Sequence, residues 1–220
     1  MTEVVIRNEE LLDTLNGFVQ EFYERGGHQR PDMWMQEEGD RGEYYTGEEY
    51  LRQCLVSPNL IGAPEKHFGQ PVSKMVRVDP SWEDYMQKVK YDFASQLGAH
   101  TSALLNFYPP GGYVGWHTNW DANAYQILFT WSIDGNGYFR YYNKSDDEIV
   151  TIPDVPGWQC RHYYFGAKEE VEDHCWHAAY TNSERITLAY KFVNDTKANV
   201  EKDRQARNLR DMLIEEIETP

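Results

Sequence analysis

Residues 104–142 read LLNFYPPGGYVGWHTNWDANAYQILFTWSIDGNGYFRYY, and this stretch decides the fold. Its short runs of aromatic and β-branched residues are typical of strands, and they lie at 104–107, 113–116, 126–132 and 138–142. Proline, glycine and asparagine clusters stand between the runs, most clearly Pro-Pro-Gly-Gly at 109–112 and Asp-Gly-Asn-Gly at 134–137. The stretch therefore predicts a succession of short strands that are joined by turns.

The same pattern continues towards the C-terminus. Four further strands are predicted at 149–152, 161–165, 175–179 and 185–192. Helices followed by about eight strands indicate an α+β chain in which two sheets close on each other. The expected core is a double-stranded β-helix, the jelly-roll or cupin-like arrangement that suits this number of strands.

Helical patterns flank the predicted strands. Apolar residues recur at three- and four-residue spacing over 8–24, where Asn8 is a suitable N-cap, and again over 79–97, where Gly98 ends the pattern. Residues 27–70 are expected to be loops with short pieces of structure that could form an access lid. The tail from 195 to 220 predicts a C-terminal helix.

These patterns predict the organisation of the chain. The 220 residues are most simply one domain, 1–220, with a helical and loop part at 1–100, the jelly-roll core at 101–194 and the C-terminal helix at 195–220.

Composition narrows the class of function. The net charge of −15 makes nucleic acid an unlikely partner, because phosphate contacts favour a basic surface. Three cysteines without a CxxC pair predict a reducing compartment. No run approaches the length of a membrane span, and the acidic N-terminus has no signal-peptide core. A cytoplasmic protein with no membrane partner is expected, and its oligomeric state stays open.

Two histidine segments carry the predicted chemistry. His117 follows a short strand, and residues two apart on a strand face the same way, so His117 and Asn119 can reach one metal ion together. Asp121 lies two residues further on. His177 stands at a later strand, with His174 as its competitor, and small neighbours leave room around it. Two histidines and an oxygen ligand are a donor set that suits iron(II) with open positions.

An arginine follows the second histidine segment. Arg185 begins an apolar strand, and Thr187 shares its face. A guanidinium beside a hydroxyl is a good binder for a carboxylate. Because a buried arginine is costly without an anion, this pair predicts an anionic ligand, or else an ordinary ion pair with a neighbour such as Glu184.

The order of His-x-polar, a long β region, a second His and Arg-x-Thr resembles the iron(II)/2-oxoglutarate-dependent oxygenase superfamily over residues 103–192. The segment from Asn106 to Gly112 resembles the Asn-x-Tyr-x-x-Gly lead-in of AlkB-like and prolyl-hydroxylase-like members. The chain also resembles phage-encoded members. The resemblance implies cosubstrate contacts from Asn106, Tyr108, Arg185 and Thr187.

Position 119 departs from the superfamily pattern, which has Asp or Glu there. Asn119 could bind metal through its amide oxygen, Asp121 could replace it, or water could fill the position. In superfamily halogenases a small residue stands here, and Asn is bulkier. An acidic residue at the place of Asp121 lies near the substrate in AlkB-like members, so Asp121 and Trp120 are also expected substrate contacts.

The resemblance implies an enzyme, a dioxygenase that uses Fe(II), 2-oxoglutarate and O2. It would hydroxylate a protein side chain or a small molecule and release succinate and CO2. We also expect four tryptophans to enclose the site: Trp116, Trp120, Trp131 and Trp176. Two alternatives remain open. One is a non-catalytic jelly-roll module with a degenerate metal site, and the other is a cupin-like metal enzyme that does not use 2-oxoglutarate.

Overall fold

The computed structural model describes residues 1–30, 41–57, 60–120, 124–193 and 204–220. In these ranges eleven strands form two antiparallel sheets. The larger sheet has the order β1 (Thr2–Val4), β9 (Gly157–Phe165), β6 (Ala124–Ser132), β11 (Arg185–Val193), β4 (Thr101–Tyr108) and β3 (Gln70–Pro71). The smaller sheet has the order β2 (His67–Phe68), β5 (Tyr113–His117), β10 (His177–Thr181), β7 (Gly137–Asn143) and β8 (Glu148–Pro153).

The chain alternates between the two sheets. It passes from β4 in the larger sheet to β5 in the smaller, back to β6, on to the β7–β8 hairpin, and then to β9, β10 and β11. This winding is that of a double-stranded β-helix, so the fold is α+β with a jelly-roll core. All eight predicted strands are confirmed, while the short strands β1, β2 and β3 were not predicted.

Seven α-helices lie in the described ranges: α1 (Glu9–Glu24), α2 (Gly42–Tyr45), α3 (Glu48–Val56), α4 (Val72–Val78), α5 (Glu83–Met86), α6 (Phe93–Gln96) and α7 (Arg204–Glu218). The predicted N-cap of α1 is confirmed, because the side chain of Asn8 accepts a hydrogen bond from the Leu11 amide at 2.9 Å. None of these helices combines the length and the apolar character that crossing a membrane requires.

The second predicted helix is real but irregular. A 3₁₀ turn at Pro80–Trp82 leads into α5, and a π-helical segment, Gln87–Asp92, joins α5 to α6. Gly98 has a φ of 66°, a left-handed conformation that suits glycine at a helix end. The predicted C-terminal helix is present as α7, and residues 195–203 of that prediction lie outside the described ranges.

Each sheet buries one face under helices. The larger sheet packs its apolar residues, among them Phe107, Phe129 and Leu188, against α1, the segment from α4 to α6, and α7. The smaller sheet packs Tyr113 and Tyr180 against α2 and α3. Because successive residues of a strand point to opposite faces, the other face of each sheet turns inward, and these inner faces meet in the interior of the jelly roll.

Candidate metal centre

His117 and His177 meet on the inner face of the smaller sheet. They are directly opposed in the antiparallel register of β5 and β10, so both side chains project to the same side. Their ring centroids lie 4.0 Å apart. Two strands that are 60 positions apart in the chain thus place two imidazoles side by side, as the sequence predicted.

Both imidazoles are oriented by the backbone. His117 Nδ1 lies 2.8 Å from the Gly115 carbonyl oxygen, and His177 Nδ1 lies 2.9 Å from that of Cys175. A carbonyl oxygen only accepts, so each Nδ1 carries a proton, and in the neutral ring the lone pair therefore lies on Nε2. This is the arrangement in which a histidine binds a metal through Nε2.

The pair is buried among aromatic rings. His117 and His177 are 5% and 4% exposed, and Phe139 and Phe165 lie against the His177 ring. Burial, followed by the charge of His117, lowers the pKa of His177 well below its ordinary value. The imidazole of His177 is therefore neutral at physiological pH, which is the protonation state that a metal ion requires.

Asn119 stands at the edge of this pair. Its side-chain Nδ2 lies 3.4 Å from His177 Nε2, so the amide shares the space that a metal ion on that nitrogen would occupy. Rotation of the amide would bring its oxygen to the same place. Asp121, the alternative oxygen ligand and predicted substrate contact, lies outside the described residues.

His174, the competitor of His177, points elsewhere. Its Nε2 lies 2.9 Å from the Ala167 carbonyl oxygen and therefore carries the proton, which leaves that nitrogen unable to bind a metal while the bond is made. Within the part of the chain that the structure describes, no three His, Cys, Asp or Glu side chains come together as a metal site. The described donor set is thus two histidines and one carboxamide.

His67 is a neighbour of the centre that the sequence did not indicate. It lies on β2 opposite Val114 of β5, on the face that also carries His177. Its Nε2 is 2.8 Å from Asn106 Nδ2, a contact that joins the two sheets across the interior. Burial, followed by the charges of His117 and Lys74, lowers its pKa to about 4.

Asn106 has an unsatisfied atom in this interior. It is fully buried, its Nδ2 contacts His67, and its Oδ1 has no hydrogen-bond partner among the described residues. A buried amide oxygen without a donor costs free energy, so it marks a place where a ligand could donate a hydrogen bond. Because 2-oxoglutarate has no hydrogen to donate at neutral pH, that ligand would be a water or a hydroxyl group, and the contact of Asn106 with a cosubstrate stays a prediction.

Arg185 and Thr187 lie on β11, on the inner face of the larger sheet. Arg185 Nη1 donates to Thr187 Oγ1 at 2.8 Å, and its Nε donates to Asp154 Oδ2 at 2.9 Å. Asp154 follows β8 of the smaller sheet, and its carboxylate is completely buried in this ion pair. Arg185 thus has an acidic partner, but it is Asp154, since Glu184 accepts a hydrogen bond from Tyr23 instead.

Asn106 and Tyr108 flank this arginine from β4. The register places Tyr108 opposite Arg185 and Asn106 opposite Thr187. The Arg185 guanidinium carbon lies 5.6 Å from the centroid of the Tyr108 ring, in the range of a cation–π contact. The four residues that the resemblance assigns to cosubstrate binding therefore form one group on the inner face.

Two further buried polar residues belong to the same face. Gln159 and Arg161 alternate with Trp158 and Cys160 along β9, and Gln159 lies opposite Thr130 of β6. The signal that could have found them is this alternation of polar and apolar residues, which places Gln159 and Arg161 on one side. Asp154 and His67 gave no such signal, because their partners lie far away in the sequence.

The prediction that four tryptophans enclose the site is wrong for three of them. Trp131 packs on Tyr23, in the core under the larger sheet. Trp116 and Trp176 belong to the core between the smaller sheet and α2 and α3. They lie there because the alternation of a strand sends them to the face opposite the histidines. Trp120, which follows Asn119 in the sequence, donates its Nε1–H to the Ile61 carbonyl oxygen at 2.7 Å.

The three cysteines are free and buried. Burial raises the pKa of the Cys54 thiol to about 11 and that of Cys175 to about 12. Thiols with such pKa values are protonated at neutral pH and are poor nucleophiles. Cys175, although it stands two residues before His177, thus acts as a small buried side chain.

Comparisons with known proteins give fold likenesses only. No family profile and no curated protein matches the chain. Among solved structures, it is similar to a Pseudomonas putida prolyl-4-hydroxylase, at 13% identity over 74% of this chain and 94% of the other, with a TM-score of 0.34.

Two other solved structures are similar over shorter parts. One is YcfD, a ribosomal oxygenase from Escherichia coli, at 18% identity over 56% of this chain and 40% of that one, with a TM-score of 0.30. The other is a cupin domain from Bordetella pertussis, at 15% identity over 42% of this chain and 80% of that one, with a TM-score of 0.26. At these identities and TM-scores the matches assign no function, and the resemblance to phage-encoded proteins stays a prediction.

Proposed function

We propose that the chain is an iron(II)- and 2-oxoglutarate-dependent dioxygenase that hydroxylates a protein side chain or a small molecule. The observation that carries the proposal is the buried His117–His177 pair, in which both Nδ1 atoms face backbone carbonyl oxygens, in the same interior as the Arg185–Thr187 pair. Bound iron(II) and 2-oxoglutarate supply the oxidation: O2, the cosubstrate and a C–H bond yield an alcohol, succinate and CO2.

Different residues bind the metal and the cosubstrate. His117 and His177 hold the metal through Nε2, with Asn119 or a water at a third position. Arg185 and Thr187 bind the outer carboxylate of the cosubstrate, and Tyr108 packs its ring against the guanidinium. No hydrogen bond joins Arg185 Nη2 to the described part of the chain, so this nitrogen is available to an incoming carboxylate.

Burial supports the proposal as well. Phe139 and Phe165 pack on the His177 ring and keep water from that side of the centre. A dry site strengthens the charge interactions inside it and protects a reactive centre from side reactions. The buried amide oxygen of Asn106 can accept a hydrogen bond from a bound water or from a substrate hydroxyl group, since 2-oxoglutarate has no hydrogen to donate at neutral pH.

The proposal is tested by succinate formation in air, with Fe(II), 2-oxoglutarate and ascorbate present. We expect slow succinate release from the wild-type protein even without substrate. His117→Ala and His177→Ala should each lower the rate of succinate release by more than about 100-fold. Loss of a residue that only supports a metal ligand lowers activity by at most about 100-fold, so a larger loss indicates a direct ligand. His174→Ala is the matched control, and its rate should stay within about threefold of wild type.

The rates of these variants show which histidine is the distal ligand and whether the protein is an enzyme. A loss of succinate formation in His174→Ala, with His177→Ala active, would reverse the choice of distal ligand. Equal rates in all four proteins, at the level of free iron in buffer, would refute the enzyme.

A second candidate, the non-catalytic jelly-roll module, is favoured by two specific observations. Arg185 already has a buried carboxylate partner in Asp154, and Asn119 brings no negative charge to the metal position. This candidate predicts that a His117→Ala/His177→Ala double variant binds no less metal than the wild type and unfolds at the same temperature. The dioxygenase predicts that specific Fe(II) binding disappears in the double variant.

A further inference from the structure

The inner face of the larger sheet buries more positive than negative charge. Arg161 and Arg185 are 7% and 3% exposed, and the carboxylate between them is that of Asp154, 5% exposed. Two guanidinium groups carry +2 and one carboxylate carries −1, which leaves this group of three with a net charge of +1. A net charge in a buried place is costly unless a counter-ion neutralises it.

A chain of hydrogen bonds connects the three charged groups. Arg185 Nε donates to Asp154 Oδ2 at 2.9 Å, and Gln159 Nε2 donates to Asp154 Oδ1 at 3.3 Å. Arg161 Nη2 in turn donates to Gln159 Oε1 at 2.6 Å. Both oxygens of Asp154 are thus committed, and Gln159 joins Arg161 to the same network without adding charge.

Asp154 is fixed between the two arginines. Its backbone N–H donates to the Gly137 carbonyl oxygen at 2.9 Å, and a Cβ on Gly137 would lie 2.7 Å from Asp154 Oδ2. The absence of a side chain at Gly137 therefore makes room for this carboxylate. Because Asp154 cannot move away easily, it takes part of the charge of Arg185 permanently.

Arg161 is the cation that this network does not neutralise. Among the residues that the structure describes, no Asp or Glu oxygen lies within 4.0 Å of its guanidinium. Glu3, its partner in the β1–β9 register, is exposed to solvent and makes no ion pair with it. Burial lowers the pKa of Arg161. The negative charge of Asp154 opposes this shift, and the positive charge of Arg185 adds to it. Its only described hydrogen-bond acceptor is a neutral amide, so Arg161 lacks an anion.

We propose that Arg161 is a specificity-determining residue for an anionic ligand: with Arg185 it forms a site for one carboxylate, and it restores the positive charge that Asp154 removes from Arg185. The inference rests on the proposed function, in which this carboxylate is the outer one of 2-oxoglutarate. The class of ligand is a short dicarboxylate whose far end enters the polar interior. Without Arg161, the opposite charges of Arg185 and Asp154 would cancel. The interior would then favour a 2-oxo acid whose far end is uncharged.

The test is a calorimetric titration of the full-length, metal-free protein with glutarate, the dicarboxylate that has the carbon chain of the cosubstrate without its keto group. Low ionic strength keeps screening small. We expect Arg161→Met to weaken glutarate binding by more than tenfold, and Asp154→Asn to leave it equal or tighter. Arg52→Met, which removes the same charge from an exposed ion pair, should bind glutarate as the wild type does.

A conservative variant guards against misfolding. If Arg161→Met does not fold, Arg161→Lys keeps the charge and should retain glutarate binding better than Arg161→Gln. Glutarate binding that is the same in the wild type and in Arg161→Met, or no glutarate binding by the wild type, overturns the inference.

The two proposals fail separately. A wild-type protein that binds glutarate through Arg161 but forms no complex of Fe(II) with 2-oxoglutarate supports the anion site and refutes the dioxygenase. A protein that forms this complex equally well as wild type and as Arg161→Met supports the dioxygenase and refutes the role of Arg161.

Discussion

Asn119 is the residue at which this site departs most from an ordinary iron(II) centre. A carboxylate would offset part of the charge of the metal, whereas an amide oxygen only contributes a dipole. We therefore predict that Asn119→Asp raises the affinity for Fe(II) or Mn(II) by about tenfold or more, as measured by anaerobic titration. The amide lies 3.4 Å from His177 Nε2, close enough for a carboxylate to join the same ion.

The matched control for this substitution is Asn119→Ala. If its metal affinity falls below that of the wild type, the amide is a ligand, and if the affinity is unchanged, water or another residue fills the position. An Asn119→Asp protein that binds metal no more tightly than the wild type would contradict the placement of Asn119 at the metal.

At the scale of single residues the sequence predicted which side chains of the strands would face the interior but not their hydrogen-bond partners. His117, His177, Arg185 and Thr187 were predicted because strand spacing and motif order depend on local sequence. Asp154 was not predicted, because its hydrogen bond with Arg185 joins residues that are 31 positions apart and depends on how the two sheets face each other. His67 and Asn106 are 39 positions apart and were missed as a pair for the same reason.

Among the elements, helix α1 offers the cleanest test of a local rule. The Asn8 side chain caps it by accepting from the Leu11 amide at 2.9 Å. Asn8→Ala should lower the free energy of unfolding by about 1 kcal/mol, measured by urea denaturation. Asn8→Asp keeps the acceptor and should lose much less. Equal losses in the two variants would show that the cap is not what stabilises this end of the helix.

Elements were predictable where their own residues carry the pattern. The eight core strands and α1 have clear periodicity and terminal signals, and all of them are present. The π-helical segment Gln87–Asp92 was not predicted, because its apolar spacing differs little from that of an α-helix. β1, of three residues, exists through its pairing with β9, about 158 positions away, which no local pattern reveals.

On the scale of the whole molecule, the buried imidazoles predict an acid-sensitive fold. The pKa of His67 falls from an ordinary value of 6.5 to about 4 in the folded chain. A depressed folded-state pKa means that the unfolded chain binds the proton first, so the stability is complete above pH 6.5 and is lost as the pH falls towards 4. For His67 alone the loss between pH 7 and pH 5 is about 2 kcal/mol.

Urea denaturation of the metal-free protein at pH 7 and pH 5 measures this loss. The difference between the two pH values should be smaller by about 2 kcal/mol in His67→Gln, which cannot take up the proton. His100→Gln serves as the control, and its pH dependence should match that of the wild type. An unchanged pH dependence in His67→Gln would show that His67 is not held neutral by the fold.

The two sheets bring a histidine pair on one side of the interior and an arginine on the other, and anaerobic titration with Fe(II) and 2-oxoglutarate tests most directly whether the two act on one bound complex. Chelation of Fe(II) by the keto acid gives a metal-to-ligand charge-transfer absorption band, which free Fe(II) in the protein lacks. We predict that this band forms in the wild type, is absent in His117→Ala and His177→Ala, and needs much more 2-oxoglutarate in Arg185→Met. No band in the wild type, or a band of equal strength in all four proteins, would contradict the account.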